Sequence, residues 1–383
     1  MVIAEIALAL PLVAAAGLMT HSFLRLSAVQ PGFQAENLLT VQMLLLPVRD
    51  RALHAEFVSD ALARVRRLPQ VVAAGSIGRL PMDGGNSGSW YYPADRPEPV
   101  ASERPRGDIS VVSPDYFAAM RIPLMLGRDF ASGDRIGSPH VAIINQTAAR
   151  ALFGGDNAVG RRLKVAWNDA REVEIVGVVA DIRHGRLQAS PEPCLFLPNA
   201  QQPFPFSALV IRTAGNPTAV ASAVKAEIHA LDPDQGIGRI ESMETIIADT
   251  IAPSKIQTVL VGVFAALALT LASIGIYGVL ACSVALRTRE IGVRLALGAS
   301  PLSACRFVAG QGCRLVAIGL TIGLGASGIL TRFIRGLLFE VEPLDPAAFA
   351  AVTALVCLVA VAACAIPAAR ATRIDPAIVL RDE

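Results

Sequence analysis

Lysine is nearly missing from this chain. Of 383 residues, 34 are Lys or Arg, and only Lys164, Lys225 and Lys255 are lysines. A nucleotide-binding P-loop needs Gly-Lys followed by Ser or Thr. The three lysines follow Leu163, Val224 and Ser254, so the chain carries no Walker A motif. Charge is also scarce, at 17% of residues against about 25% in ordinary globular domains. The formal net charge is +2 and no dense basic run is present, so no nucleic-acid partner is expected. The five histidines, His21, His54, His140, His184 and His229, stand apart from one another and from any Cys at ligand spacing. Neither H-E-x-x-H nor G-x-S-x-G occurs, so no metal or catalytic constellation is expected. Asp181, His184 and a serine could be drawn as a triad on paper; nothing in the sequence recommends it.

What the chain has in excess is apolar residues. They make up 53% of it, and mean hydropathy is +0.50. Disorder is excluded for most of the chain, because it requires low hydrophobicity and high net charge. Four runs hold the excess: Ile6–Leu24, Ile256–Leu286, Leu315–Thr331 and Pro346–Ala369, each free of Asp, Glu, Lys and Arg. A membrane-crossing helix needs about 20 apolar residues. The second and fourth runs satisfy that directly. The third does so if Arg314 snorkels to an interface. The first is marginal, with Pro11 inside and Glu5 at its edge. It reads as a retained helix and not as a signal peptide, because nothing basic precedes its apolar core. Glu5 and Arg314 are the ionisable groups nearest the membrane, and both are expected at interfaces.

Small residues mark candidate helix-packing faces, because lipid supplies no hydrophobic drive between helices. These are Ala268, Ala272, Gly275 and Gly278 in the second helix and Gly319 and Gly323 in the third. The alternative is that Ala and Gly are simply common in apolar helices. Arginines set the orientation. Arg287, Arg289, Arg294 and Arg306 lie between the second and third helices; Arg370, Arg373 and Arg381 follow the fourth. Both segments are expected to be cytoplasmic, with Gln30–Ser254 outside.

The long segment reads as α+β. Strands are expected at Asn37–Leu46, Ile109–Val112, His140–Ile144 and Val173–Val179. Helices are expected at Arg51–Arg67, at Pro217–Leu231 with Asn216 as N-cap, and from Ser242. Gly84–Arg106 is rich in Gly, Pro and Ser and is expected to be a long exposed loop, with Trp90-Tyr91-Tyr92 as a sticky or strand-forming patch. Cys194 is the one cysteine in this segment; Cys282, Cys305, Cys313, Cys357 and Cys364 belong to the membrane part. An internal disulfide is therefore excluded there. The fold class is a four-helix membrane protein with a large inserted α+β extracytoplasmic domain. Its expected boundaries are 1–26 (helix), 27–254 (external domain), 255–286 (helix), 287–305 (cytoplasmic loop), 306–331 (helix), 332–346 (external loop), 347–369 (helix) and 370–383 (cytoplasmic tail).

One stretch stands out. From Arg287 to Ala299, charges alternate with Ile291, Val293, Leu295 and Leu297, and Gly298 supplies a stop. It reads either as an interfacial anchor or as a helix that docks a cytoplasmic partner.

These residues resemble a known family. "YGVLACSVALRTREIGVRLALGAS" (277–300) resembles the signature of MacB-type, FtsX-like ABC transporter permeases. "PAARATRIDPAIVLR" (367–381) is similar to their usual ending. The opening from Ala4 to Pro47, with "VSPDYFAAMRIPLMLGRDF" (112–130), "VAIINQTAARALFGGDNAVGRRL" (141–163) and "EIVGVVADIRHGRL" (174–187), resembles their periplasmic core domain. The chain looks most like one half of an acidobacterial-type duplicated permease. The resemblance implies an inner-membrane permease subunit that is not itself an enzyme and holds no cofactor. ATP would be bound by a partner ABC ATPase. A second permease copy or a sibling half would complete a dimer in the lipid bilayer. Substrate would be exported or extracted. The implied ATPase-coupling residues are Arg287, Arg289, Glu290, Ile291, Gly292, Arg294, Leu295, Leu297 and Gly298. The rival reading is a membrane-anchored binding or scaffold protein without an ATPase.

Overall fold

Where charge is absent the chain forms long helices. The computed structural model describes residues 2–44, 51–84, 88–100, 102–155, 157–166, 171–287, 301–341 and 346–371. Four helices are long and apolar enough to cross a membrane: α1 (Val2–Ser27), α6 (Met243–Leu286), α7 (Pro301–Ile334) and α8 (Pro346–Ala371). The chain divides into two compact units, Met1–Ala28 with Pro253–Glu383, and Val29–Ala252.

In the helical unit, α1 lies at the centre of the packing. Ile6, Ala9, Leu10, Val13 and Ala14 form one buried cluster with Ala265, Ala272, Ile276 and Leu280 of α6, Val316 of α7, and Val352, Val356 and Ala360 of α8. Leu267, Leu271 and Ile274 of α6 and Leu358 of α8 are exposed, as a lipid-facing surface requires. The end of α1 holds the chain after α7. Ser22 Oγ accepts from Phe339 N at 2.8 Å, and the Arg25 guanidinium donates to the Glu340 carbonyl.

The α+β unit is a split βαβ pattern carrying a large insertion. β1 (Leu38–Leu44), α2 (Arg51–Val65), β2 (Val71–Ile77), β10 (Phe206–Thr213), α5 (Ala221–His229) and β11 (Ile237–Ser242) form an antiparallel sheet in the order β11-β1-β10-β2. Numbered by themselves, these strands run 4-1-3-2, the order of ferredoxin-like βαββαβ units. Leu39, Val41, Val58, Leu62, Leu209, Ile211, Val224 and Ile228 fill the layer between sheet and helices. The Asn216 side-chain Oδ1 accepts from Thr218 N ahead of a 3-10 turn at Pro217–Val220, which leads into α5.

The insertion follows β2 and returns at β10. β3 (Gly88–Pro93), β4 (Arg106–Val112), β6 (Val141–Asn145), β7 (Arg162–Val165), β8 (Arg171–Val179) and β9 (Cys194–Pro198) pair in the circuit β4-β3-β7-β8-β6-β9, and β9 returns to β4 in parallel. β5 (Leu124–Gly127) adds to β8. The short helices α3 (Tyr116–Met120) and α4 (Gln146–Phe153) lie between these strands in the chain. Ile109, Ile144, Leu163, Ile175, Leu195 and Leu197 share a buried cluster with Leu152 and Phe153 of α4.

Two expectations are revised. Gly84–Arg106 is not one exposed loop. β3 lies within it and contains Trp90-Tyr91-Tyr92, the patch expected to be sticky or strand-forming, with Tyr91 and Tyr92 buried at 1% and 3% exposure. Aromatic side chains bury large apolar area, and three of them in sequence outweighed the Gly, Pro and Ser around them. The helix from Ser242 and the second apolar run, read separately, belong to one helix, Met243–Leu286, with Pro253 inside it.

Candidate functional site

The segment expected to couple to an ATPase begins where α6 ends. Arg287 is exposed and its N–H donates to the Val284 carbonyl at 3.2 Å. Arg289, Glu290, Ile291, Gly292, Arg294, Leu295, Leu297 and Gly298 lie outside the described residues.

The packing glycines can be placed one by one. A Cβ on Gly319 would come within 2.8 Å of Ile6 Cβ, and one on Gly323 within 2.9 Å of Leu10 Cβ. The Gly-xxx-Gly face of α7 thus receives two residues one turn apart on α1. Ala272 is buried in the same core, and Ala268 packs against it partly buried. Gly275 faces the Glu5 carboxyl group; Gly278 faces open space. Glu5 therefore differs from its expected snorkelling position. Its Oε2 is buried and has no hydrogen-bond partner. Arg314 is exposed.

In the α+β unit the drawn triad does not form. Asp181 Oδ1 accepts from Thr147 N at 2.8 Å, and its Oδ2 accepts from Thr147 Oγ1 at 2.9 Å and from Arg150 at 2.8 Å. The carboxylate is the anchor for the first turn of α4. His184 is buried beside Phe196, with ring centroids 5.8 Å apart, and its Nε2 has no hydrogen-bond partner. Burial lowers its pKa to about 4, so the ring is neutral at physiological pH. No group of three His, Cys, Asp or Glu side chains suited to a metal occurs among the described residues.

Burial also raises the pKa of Asp108 to about 6, with the nearby negative charge of Glu192 adding to it. Its register partner on β9 is Cys194, whose thiol is pushed up by the same burial.

The attachment of α6 to the sheet is a site that patterning did not reveal. Ser242 Oγ accepts from Thr245 N at 3.2 Å and caps the helix. Met243 and Ile246 are buried. One turn on, Thr250 Oγ1 lies 2.9 Å from the Ile246 carbonyl of its own helix and 3.2 Å from the Met82 carbonyl, with one proton to share between them, while Met82 N donates to the His184 carbonyl at 2.6 Å. Met82 thus joins the base of α6 to the inserted lobe. It does so at φ +66°, a conformation a side chain rarely adopts without compensating contacts. Nothing in the local sequence announces it, since the partners are far apart in the chain.

Comparison with known proteins agrees with this architecture. The family described as MacB-like periplasmic core domain matches residues 6–231, and that described as FtsX-like permease C-terminal matches residues 262–376. The macrolide export ATP-binding/permease protein MacB of Azoarcus sp. (strain BH72) is 25% identical over 365 residues, covering 91% of this chain and 51% of the relative. An uncharacterized ABC transporter permease, YknZ of Bacillus subtilis (strain 168), is 24% identical over 272 residues, covering 63% of this chain and 67% of the relative. The chain spans about half the length of the MacB relatives it matches. Among solved structures, the periplasmic region of MacB from Actinobacillus actinomycetemcomitans aligns at 15% identity with a TM-score of 0.38, over 58% of this chain and 95% of that one.

Proposed function

The chain belongs to the MacB-type, FtsX-like family of ABC transporter permeases, and on that premise we propose that it is a permease subunit transmitting ATP-driven conformational change from a separate cytoplasmic ATPase to its periplasmic domain. It is an inner-membrane protein with four apolar helices and a periplasmic domain. The transmitted change would serve export or extraction of a substrate. The observation that carries this reading is the combination, in one chain, of a periplasmic core domain and an FtsX-like permease region without a Walker A motif. ATP would then be bound by the partner, and this chain would hold no cofactor and catalyse no reaction.

The covalent path for such coupling is short. The periplasmic unit joins the helical unit at Ala28–Val29, after α1, and at Ala252–Pro253, inside α6. A partner engaging the segment from Arg287 to Gly298 would act next to the end of α6. At its other end, α6 is held by Ser242, Met243, Ile246 and Thr250 to the periplasmic sheet and to Met82. A second permease copy or a sibling half would complete the assembly, with Arg287–Gly298 on the cytoplasmic side. The names of the MacB relatives, which include macrolide export, support the outward direction.

Affinity purification of the tagged chain from its native membrane tests the reading. An ABC ATPase should co-purify, and its turnover should rise when the permease is present. Purification with no ATPase, repeated after mild crosslinking, would favour a membrane-anchored scaffold.

A further inference from the structure

α1 carries a single acidic residue, Glu5, in its first turn. Its Oε2 is buried and has no hydrogen-bond partner. That oxygen lies against α6 where a side chain is missing. A Cβ on Gly275 would overlap Oε2 and would come within 3.1 Å of the carboxyl carbon. Ala272 and Ile276, which flank Gly275 on α6, are buried in the same apolar core as Val2 and Ile6 of α1.

The contact is far from either end of the apolar run of α6. Gly275 stands 19 residues after Ile256 and 11 before Leu286, in a stretch without Asp, Glu, Lys or Arg. At about 1.5 Å per residue those separations are about 28 and 16 Å, against a hydrocarbon core of about 30 Å. On α7, Ile6 meets Gly319, five residues beyond Arg314. Arg314 is exposed and lies about 7.5 Å nearer the start of that helix. The other titratable groups on the helices packed with α1 here are Tyr277 and Cys282 of α6, Cys313 of α7, and Cys357 and Cys364 of α8. None of them bonds Oε2, and Glu5 has no ion pair among the described residues.

An ionised carboxyl oxygen in such a place has lost its water and gained no donor, which is the costly state. The positive end of the α1 dipole favours a negative charge, but that effect is weaker than the loss of hydration. The neutral acid escapes the cost. It also has an O–H to donate, and the carbonyls of a helix keep a second lone pair to receive it.

We propose that Glu5 is a proton-binding site within the membrane bundle, neutral while it rests on Gly275 and ionised when α1 and α6 part. Proton binding then belongs to the packed arrangement alone. By linkage, low pH holds α1 on α6 and rising pH favours their separation. The inference rests on the transport reading only for the stroke that such a separation would serve; the bound proton requires no ATPase.

The test is infrared spectroscopy of the full chain in phosphatidylcholine nanodiscs at pH 7.5, where a neutral carboxyl gives a C=O band separate from the bands of a carboxylate. The wild-type chain should show this band and Glu5→Gln should lack it. Gly275→Ala, whose methyl displaces the carboxyl, should abolish the band. Gly278→Ala, whose methyl meets open space, should keep it. Helix content by circular dichroism should be the same in all four chains. Amide hydrogen exchange of the α1 segment, compared at pH 6 and pH 9, should accelerate more in the wild type than in Glu5→Gln, which cannot lose a proton. A wild-type spectrum identical to that of Glu5→Gln overturns the site. A band that survives Gly275→Ala overturns the role of that contact. Equal acceleration of exchange in the wild type and Glu5→Gln overturns the linkage to packing. None of these outcomes alters whether an ATPase co-purifies, so the transport reading stands or falls separately.

Discussion

In the membrane bundle, Gly319 and Gly323 meet Ile6 and Leu10 through close contact of small and large apolar groups. In the periplasmic domain, Arg212 reaches from β10 to three carbonyls, donating to Ala119 at 2.6 Å, to Glu36 at 2.8 Å and to Gln34 at 2.7 Å. The two regions solve different problems. Helices in lipid already satisfy their own backbone bonds and associate chiefly through fit. The periplasmic domain must tie an irregular lead-in chain and a short helix onto a sheet, and buried carbonyls there need donors. Damage should therefore take different forms: in the bundle from added volume, in the domain from removed polar groups.

The strongest way to break this contrast is Arg212→Leu. It leaves the buried Ala119 carbonyl and the part-buried Glu36 and Gln34 carbonyls without their donor; a buried unsatisfied group costs about 1–3 kcal/mol and a part-buried one less. We expect the periplasmic domain to lose about 3 kcal/mol or more, read as early proteolysis and a lowered melting temperature of the full chain. A melt within a degree of wild type would show that the lead-in chain is held by other means.

Next in size are Gly319→Val and Gly323→Val. Overpacking typically costs about 1–3 kcal/mol, and here the clash falls on Cβ atoms of α1, which cannot swing aside. The expected result is loss of disulfide crosslinking between cysteines placed on α1 and α7, with the periplasmic domain's protease resistance intact. Gly278→Val is the matched control. Its Cβ meets open space, so stability within this chain should change by less than about 0.5 kcal/mol. If Gly278→Val instead disrupts dimerisation, that face contacts the second copy.

A smaller effect sharpens the polar side of the comparison. Asp108 has its pKa raised from 3.8 to about 6, so the folded domain holds a proton that the unfolded chain has released between those values. Stability contributed by this group is full below 3.8 and is lost as pH rises through 6. Asp108→Asn should remove that slope and stabilise the domain at pH 7.5 by about 1–2 kcal/mol. Denaturant titrations at pH 4.5 and 7.5 measure it; a variant less stable than wild type at pH 7.5 would mean the carboxylate has a favourable partner.

Legibility in the sequence followed the length of the pattern. The charge-free runs are long, and they became α1, α6, α7 and α8. The β-branched runs at Ile109–Val112, His140–Ile144 and Val173–Val179 lie in β4, β6 and β8 with small shifts at their ends. Asn216 before Pro217 was a local signal with a local partner, and it caps as expected. Tyr91 and Tyr92 were harder to read, because three aromatic residues are too short a pattern to set against the Gly, Pro and Ser around them. The 4-1-3-2 sheet order and the closing of β9 onto β4 depend on partners far apart in the chain and have no local trace. Met82 falls in the same class, an ordinary residue in sequence given its role by what the topology brings beside it. The proposed coupling role of the residues from Arg289 to Gly298 rests on the family resemblance and on their own alternation.

The central claim is that the segment from Arg287 to Gly298 connects this permease to an ATPase, and one measurement addresses it directly. Glu290→Lys reverses the one acidic charge among its arginines, and Leu295→Asp removes an apolar contact; losing a dominant interface contact costs about 1–3 kcal/mol of docking. With the purified ATPase and the permease in nanodiscs, both variants should insert normally yet show weakened association and loss of permease-stimulated ATP turnover. Full association and full stimulated turnover in both variants would contradict the account and leave the segment as an interfacial anchor.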